Sequence, residues 1–366
     1  MKVALLSIVR PQAGSGEGIT EYVYNLYSRL SKFSKIEVTP IYSLERAKRM
    51  DVLGIAYTNL FFRRIAGRLA GKNYGIVHIA NEELAFLAKR IKRISPESKV
   101  VLTLHGLSRT KPGYHRGALQ NAYNALSVRG GIRTGLRYSD YVIFNSSVTR
   151  EDALSLADDK QLLLKKSGIV PLGIDRRFAS AKGRVQRRGR LVVGYIGSFT
   201  YLKNVIFILK TAALLRSERR ISFEIYGFGS GREEEELKAY AEKKGLSNVH
   251  FRGVATRDKV VDAYRSFDAL MFPSRYEGFG LPILEAQASG LPVLVYRLGR
   301  TPEEVTKYCL RVGDEREAAL ALQKLRANGY DKIKQKAAKA YALSFSWDKT
   351  AQETAAVYRK LCKRAR

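Results

Sequence analysis

The stretch Phe272–Tyr296 constrains the fold more than any other part of the chain. It opens on Ala269-Leu270-Met271-Phe272, a short apolar run that reads as a buried strand. Gly278 and Gly280 then make a loop whose backbone can approach a ligand closely. Pro282 suits the first turn of a helix, where its missing N–H costs nothing. The helix carries Leu284, Glu285 and Gln287 and stops at Gly290; Pro292 blocks its continuation and Val293-Leu294-Val295 begins another strand. Strand, glycine loop, helix and strand in this order predict an open α/β sheet, whose ligands bind at the carboxyl ends of the strands.

The same residues suggest a chemistry. The N–H groups of Gly280 and Leu281 sit at a helix N-terminus, which favours an anion. Glu277 precedes that turn and Glu285 lies about one turn into the helix. A carboxylate is an acceptor with two oxygens, suited to neighbouring hydroxyls. Two carboxylates flanking a phosphate cradle fit a nucleoside diphosphate sugar. By spacing alone, a solvated loop glutamate and an ordinary helix glutamate explain the pattern equally well.

The 366 residues are enough for two domains, and 45% hydrophobic residues fit a globular chain. No apolar run reaches the length of a membrane span. The segment from Met1 to Val9 is expected to be a first sheet strand rather than a leader, because a glycine-rich turn and a helix follow it. Cys309 and Cys362 are too few for a disulfide framework, and the four histidines lack metal-ligand spacing, so no metal is expected. The charge is +31, from 65 Lys and Arg against 34 Asp and Glu. Such a field favours polyanions: an anionic lipid surface, nucleic acid or a phosphorylated substrate.

Strand-like and helical stretches alternate along the first half. A turn containing Gly16 and Gly18 precedes a helix with Tyr22, Val23, Leu26, Tyr27 and Leu30 on one face. Two strands end at His78 and His105. His78, alone in an apolar strand, reads as a satisfied core residue. Residues 176–190, rich in Arg, Lys, Gly and Ser, read as a linker. A strand ending at Gly197-Ser198 starts the second half, with Lys203 in the loop beyond it. Further strands end at Gly227 and Val254, and a helix closes the chain after Phe345-Ser346-Trp347-Asp348.

Glu277, seven residues, then Glu285, within E-G-F-G-L-P-I-L-E-A-Q-A-S-G-L-P-V, resembles the EX7E motif of the retaining GT-B glycosyltransferases of family 4, the group 1 glycosyl transferases. Gly16-Glu17-Gly18-Ile19, V-L-T-L-H105-G and Gly299-Arg300-Thr301-Pro302-Glu303 match further segments of that family, so the resemblance covers nearly the whole chain. It implies an α/β GT-B fold, two Rossmann-like domains facing each other across a cleft. The expected divisions are 1–183 on the acceptor side, 184–345 for the nucleotide sugar, and 346–366 as a helix crossing back.

The resemblance also implies roles. Lys203 would hold the diphosphate, Glu277 the sugar hydroxyls and Glu285 the ribose, while His105 would touch the sugar from the acceptor side. Gly16, Gly18, Ser198, Gly227, Val254, Gly278, Phe279, Gly280 and Leu281 would line the donor. Ser198 stands where many members carry Arg, which leaves Lys203 a larger share of the neutralisation. The implied reaction moves a hexosyl group from a nucleotide-diphosphate sugar to a hydroxyl of a sugar or lipid-linked acceptor, with retention and without cofactor or metal, in glycan, glycolipid or polysaccharide synthesis. The alternatives are an epimerase or phosphorylase of the same fold, a glycoside hydrolase, or a basic nucleic-acid-binding protein. No nucleic-acid-binding module is recognisable, so no nucleic acid is expected. The expected location is the cytoplasm, with peripheral attachment to the inner face of the cell membrane as a further expectation. It would rest on two basic amphipathic stretches, 59–72 and 85–94, whose Phe61, Phe62 and Leu69 would add insertion energy if they face outward.

Overall fold

The computed structural model describes residues 1–12, 18–42, 65, 67–69, 71–110, 118–179, 189–229 and 231–363. They divide into two compact units, one of residues 1–173 with 347–366, the other of residues 174–346.

The first unit is built on β1 (Lys2–Ser7), β2 (Glu37–Tyr42), β3 (Ile76–Ile79), β4 (Lys99–Leu104), β5 (Tyr141–Phe144) and β6 (Ser167–Ile169). Their order in the sheet is β2-β1-β3-β4-β5-β6, with every pair parallel. Parallel strands need crossovers that cover both faces, so the inner strands are largely apolar rather than alternating, while the edge strands β2 and β6 are only partly buried. β3 illustrates this: all four of its residues are buried, His78 included. The helix Leu87–Ile94 turns Leu87, Ala88 and Ile91 into the core and leaves Lys89 and Arg93 exposed. Ile65 and Leu69 are buried in the same core. The apolar face of these basic stretches therefore packs inward wherever it is described; Phe61, Phe62, Arg63 and Arg64 lie outside the described residues.

The closing helix Trp347–Lys363 belongs to this unit. It buries Thr350, Ala351, Thr354, Ala355, Tyr358 and Leu361, spaced to form one stripe. Thr350 donates to the Pro171 carbonyl at 2.8 Å, and the Trp347 and Tyr22 rings lie 6.4 Å apart.

The second unit contains β7 (Leu191–Ile196), β8 (Ile221–Tyr226), β9 (Val249–Gly253), β10 (Ala269–Phe272), β11 (Val293–Tyr296) and β12 (Leu310–Val312). The order is β12-β11-β10-β7-β8-β9, again all parallel. This is the doubly wound order, whose direction of travel reverses between β7 and β10. Loops leaving the carboxyl ends of those two strands part there and leave a crevice. Each unit is thus a Rossmann-like sheet with covering helices, and the molecule is a two-domain α/β protein of GT-B type.

Candidate functional site

The β7–β10 switch point is where the sequence concentrates its candidates. The loop after β7 carries Ser198 and Lys203, and the loop after β10 carries Glu277, Gly278, Phe279 and Gly280. A ladder of main-chain bonds fixes their register. Arg275 N–H donates to the Leu202 carbonyl at 2.7 Å, Arg300 N–H to the Arg275 carbonyl at 2.8 Å, and Glu277 N–H to the Arg300 carbonyl at 2.9 Å. Asn204 holds the first loop in a left-handed turn, with φ 56° and ψ 40°. Its side chain donates to the Pro273 carbonyl at 3.1 Å and accepts from the Arg275 guanidinium at 3.1 Å.

Lys203 Nζ then lies 2.6 Å from Glu277 Oε1. The Glu277 side chain is 9% exposed and that of Lys203 26%, so water screens the pair poorly. The same ammonium sits 5.5 Å from the centre of the Phe272 ring. Below the pair, the Tyr195 hydroxyl donates to the Ser198 carbonyl at 2.7 Å. Burial first, and the Glu277 charge second, raise the Tyr195 pKa well above its ordinary value, which keeps it a donor.

Gly280 begins the helix Leu281–Ala288 at φ 99°, a conformation open to glycine and costly for other residues. Pro282 occupies the first turn, so the helix start is set by the two residues the sequence singled out. Phe279 is 4% exposed and its ring meets that of Phe345 edge to face. Glu285 is 3% exposed, and its Oε2 accepts the Tyr264 hydroxyl at 3.1 Å. Gly227, after β8, approaches the turn after β7 so closely that a Cβ would lie 1.8 Å from the Gly197 carbonyl oxygen. Only glycine fits there. Gly227 N–H donates to the Gly253 carbonyl, and Val254 beside it is 70% exposed.

His105 belongs to the first unit, just past the end of β4. Its Nε2 lies 2.9 Å from the Ala80 carbonyl, its N–H donates to Glu82 at 3.2 Å, and its carbonyl accepts from Asn145 at 2.7 Å. Desolvation by burial lowers its pKa to about 4, against opposing effects of the Ala80 bond and of Glu83. His78 is a satisfied core residue with both ring nitrogens bonded, to Tyr358 and Thr103. Gly18 starts the helix Gly18–Leu30, and Gly16 lies outside the described residues.

Several partners carried no signal in the sequence. Tyr195, Asn204 and Tyr264 lie far in sequence from the Glu277–Glu285 spacing, and nothing in the sequence marks Arg275, two residues before Glu277, as the partner of Asn204. Only the left-handed turn of Asn204 has a local cue, since Asn tolerates that conformation. Among the described residues, no group of three or more His, Cys, Asp and Glu side chains is arranged to hold a metal ion. A surface pocket of about 450 Å³ in the first unit, lined by Met1, Phe33, Ile36, Arg359 and Cys362 among others, contains none of the expected site residues.

Residues 17–178 match the family model described as Glycosyltransferase Family 4, and residues 190–328 match the model described as Glycosyl transferases group 1. A D-inositol 3-phosphate glycosyltransferase of Corynebacterium jeikeium is 31% identical over 245 residues, which are 61% of this chain and 58% of that one. A putative glycosyltransferase of Bacillus subtilis is 36% identical over 137 residues, 35% of each chain. The chain thus spans between about a third and three fifths of the length of these relatives. Among solved structures, the sucrose-phosphate synthase of Thermosynechococcus elongatus superposes with a TM-score of 0.77 at 18% identity over 98% of both chains. An Anabaena protein solved in complex with UDP-glucose gives 0.71 at 16% identity, over 98% of this chain and 100% of that one. At these identities the superpositions speak for the fold.

Proposed function

The chain belongs to the group 1 glycosyl transferases of family 4, and from that premise we propose that it moves a hexosyl group from a nucleotide-diphosphate sugar to an acceptor hydroxyl. The observation that carries the reading is the Lys203–Glu277 pair beside the Gly280 helix start, at the switch point of a doubly wound sheet. When the bond to the sugar breaks, negative charge develops on the diphosphate. An ammonium and helix N-terminal amides already in place stabilise that charge without reorganising. Glu277 accepts sugar hydroxyls and Glu285 accepts ribose hydroxyls with Tyr264 orienting it; a sugar contact by His105 is what the resemblance alone would add. Ser198, Gly227, Val254, Gly278 and Phe279 supply backbone and walls in this reading.

A lipid-linked or free sugar acceptor fits the same reading, with peripheral attachment to an anionic membrane. No helix among the described residues is long and apolar enough to cross a membrane. Leu69, Leu87, Ala88 and Ile91 point inward, so these four side chains add no insertion energy to such attachment.

A thermal-shift panel tests the reading. UDP, GDP and ADP, each free and as sugar conjugates, are compared with short oligonucleotides. Stabilisation by one nucleotide diphosphate supports the transferase. Stabilisation by oligonucleotides alone, lost steeply in salt, overturns it.

A further inference from the structure

Arg275 stands two residues before Glu277, in the loop after β10, and reaches the turn that carries Lys203. That turn runs through Tyr201–Lys203 and ends at Asn204 in the left-handed conformation. Arg275 bonds to or stacks on the other three of these residues. Its N–H donates to the Leu202 carbonyl at 2.7 Å. A guanidinium N–H donates to Asn204 Oδ1 at 3.1 Å, and the guanidinium carbon lies 4.7 Å from the centre of the Tyr201 ring. Lys203 itself is left to Glu277 and the Phe272 ring.

The combination suits Arg. A planar guanidinium lies over a ring and hydrogen-bonds at its edge at once, whereas an ammonium is a point charge that serves one of the two. Asn204 is buried, and its amide is spent on the Pro273 carbonyl while its oxygen takes the Arg275 bond. Tyr201 is 52% exposed, so the guanidinium packs a ring that is otherwise largely in water. The Arg275 Nε is buried and has no hydrogen-bond partner among the described residues, and no described carboxylate pairs with the guanidinium. Half-burying a cation with no carboxylate beside it costs stability, and here the cost falls on the turn that presents Lys203.

We propose that Arg275 is a positioning residue for Lys203: its guanidinium clamps residues 201–204 through the Tyr201 ring and Asn204, and so sets the ammonium in place for the diphosphate. The proposal rests on the reading of the β7–β10 switch point as the diphosphate site. Arg275 acts through the turn rather than by touching the phosphates. A charge helps the reaction when it is in place before the leaving group develops its own, and a displacement of about 1 Å forfeits much of that help.

The test has two arms, and the first needs no ligand. In full-length protein labelled with ¹³C and ¹⁵N at lysine, the side-chain signal of Lys203 is identified by its absence from Lys203→Arg. It is expected to shift or broaden in Arg275→Met, and an unchanged signal overturns the proposal. Should Arg275→Met fail to fold, Tyr201→Ala, which removes the exposed side of the clamp, is compared in the same way with the same two outcomes. In the second arm UDP, GDP and ADP are titrated calorimetrically. The diphosphate that binds wild type is expected to bind Arg275→Met about fivefold or more weakly and Arg275→Lys no better, while in a Lys203→Met background Arg275→Met changes the affinity by less than about twofold. Equal losses in both backgrounds, or full affinity of Arg275→Lys, would mean that Arg275 acts by its own charge and overturn the proposal. If no diphosphate binds wild type, the reading of the switch point fails, and the lysine spectra still decide whether Arg275 holds Lys203.

Discussion

At the scale of single residues, the structure changes what removal of Lys203 should do. A loop lysine suggests a small stability cost, but this one neutralises a carboxylate with a 9% exposed side chain. Lys203→Ala leaves Glu277 unpaired, which costs about 1–3 kcal/mol of stability in addition to turnover. Adding Glu277→Gln should recover most of the stability and none of the turnover. Urea melts of the two variants decide this; a Lys203→Ala protein as stable and as fast as wild type would show that another cation serves the diphosphate. Glu285 makes a different case. Its Oε2 holds the Tyr264 hydroxyl, so Glu285→Gln keeps a neutral acceptor there while losing charge-assisted bonds to the ligand. Those are worth roughly 1.5–3 kcal/mol, or about tenfold or more in donor affinity, with little change in melting temperature.

At the scale of elements, the buried His78 between β3, β4 and the closing helix makes stability depend on pH. Desolvation first, and the His105 charge second, lower its pKa to about 3, against an ordinary value of 6.5. Below about pH 6.5 the unfolded chain takes up a proton that the folded His78 refuses. The His78 contribution should therefore be fully present above pH 6.5 and fall by about 1.4 kcal/mol per pH unit towards pH 3, with His105, lowered to about 4, adding a second slope of the same sign. His78→Gln should flatten that part of the profile, as thermal melts from pH 7 to pH 4 would reveal; an unchanged slope would mean other groups carry it. Much of this architecture was legible because parallel strands bury both faces and announce themselves as apolar runs. The helix after Gly280 was legible because Gly and Pro act locally. The site's supporting bonds were not: Tyr264 reaches Glu285 across 21 residues and Arg275 reaches Asn204 across 71, with nothing in spacing to link them. Phe178 is a further example. It sits in an Arg-rich stretch that reads as linker, yet it is fully buried with its ring 5.3 Å from that of Tyr264.

At the scale of the whole molecule, the +31 charge has no counterpart in the fold, which many less basic chains could adopt. Leu69, Leu87 and Ile91 pack inward, so the described residues of these stretches would meet a membrane through their charge. Binding to anionic vesicles should then be salt-sensitive, absent for neutral vesicles, and weakened when Arg63, Arg64 and Arg68 become Gln, at about 1 kcal/mol per base. Sedimentation at low salt checks this, and a protein left in the supernatant with anionic vesicles would point to a soluble acceptor. The central claim is that the β7–β10 switch point of the second unit holds a nucleoside diphosphate between Lys203, Glu277 and Glu285. Calorimetric titration of UDP, GDP and ADP into wild type and Glu285→Gln tests it most directly. The account predicts that one of the three diphosphates binds wild type and binds the variant at least about tenfold more weakly, while both proteins melt alike. Equal affinity for the two proteins would contradict it.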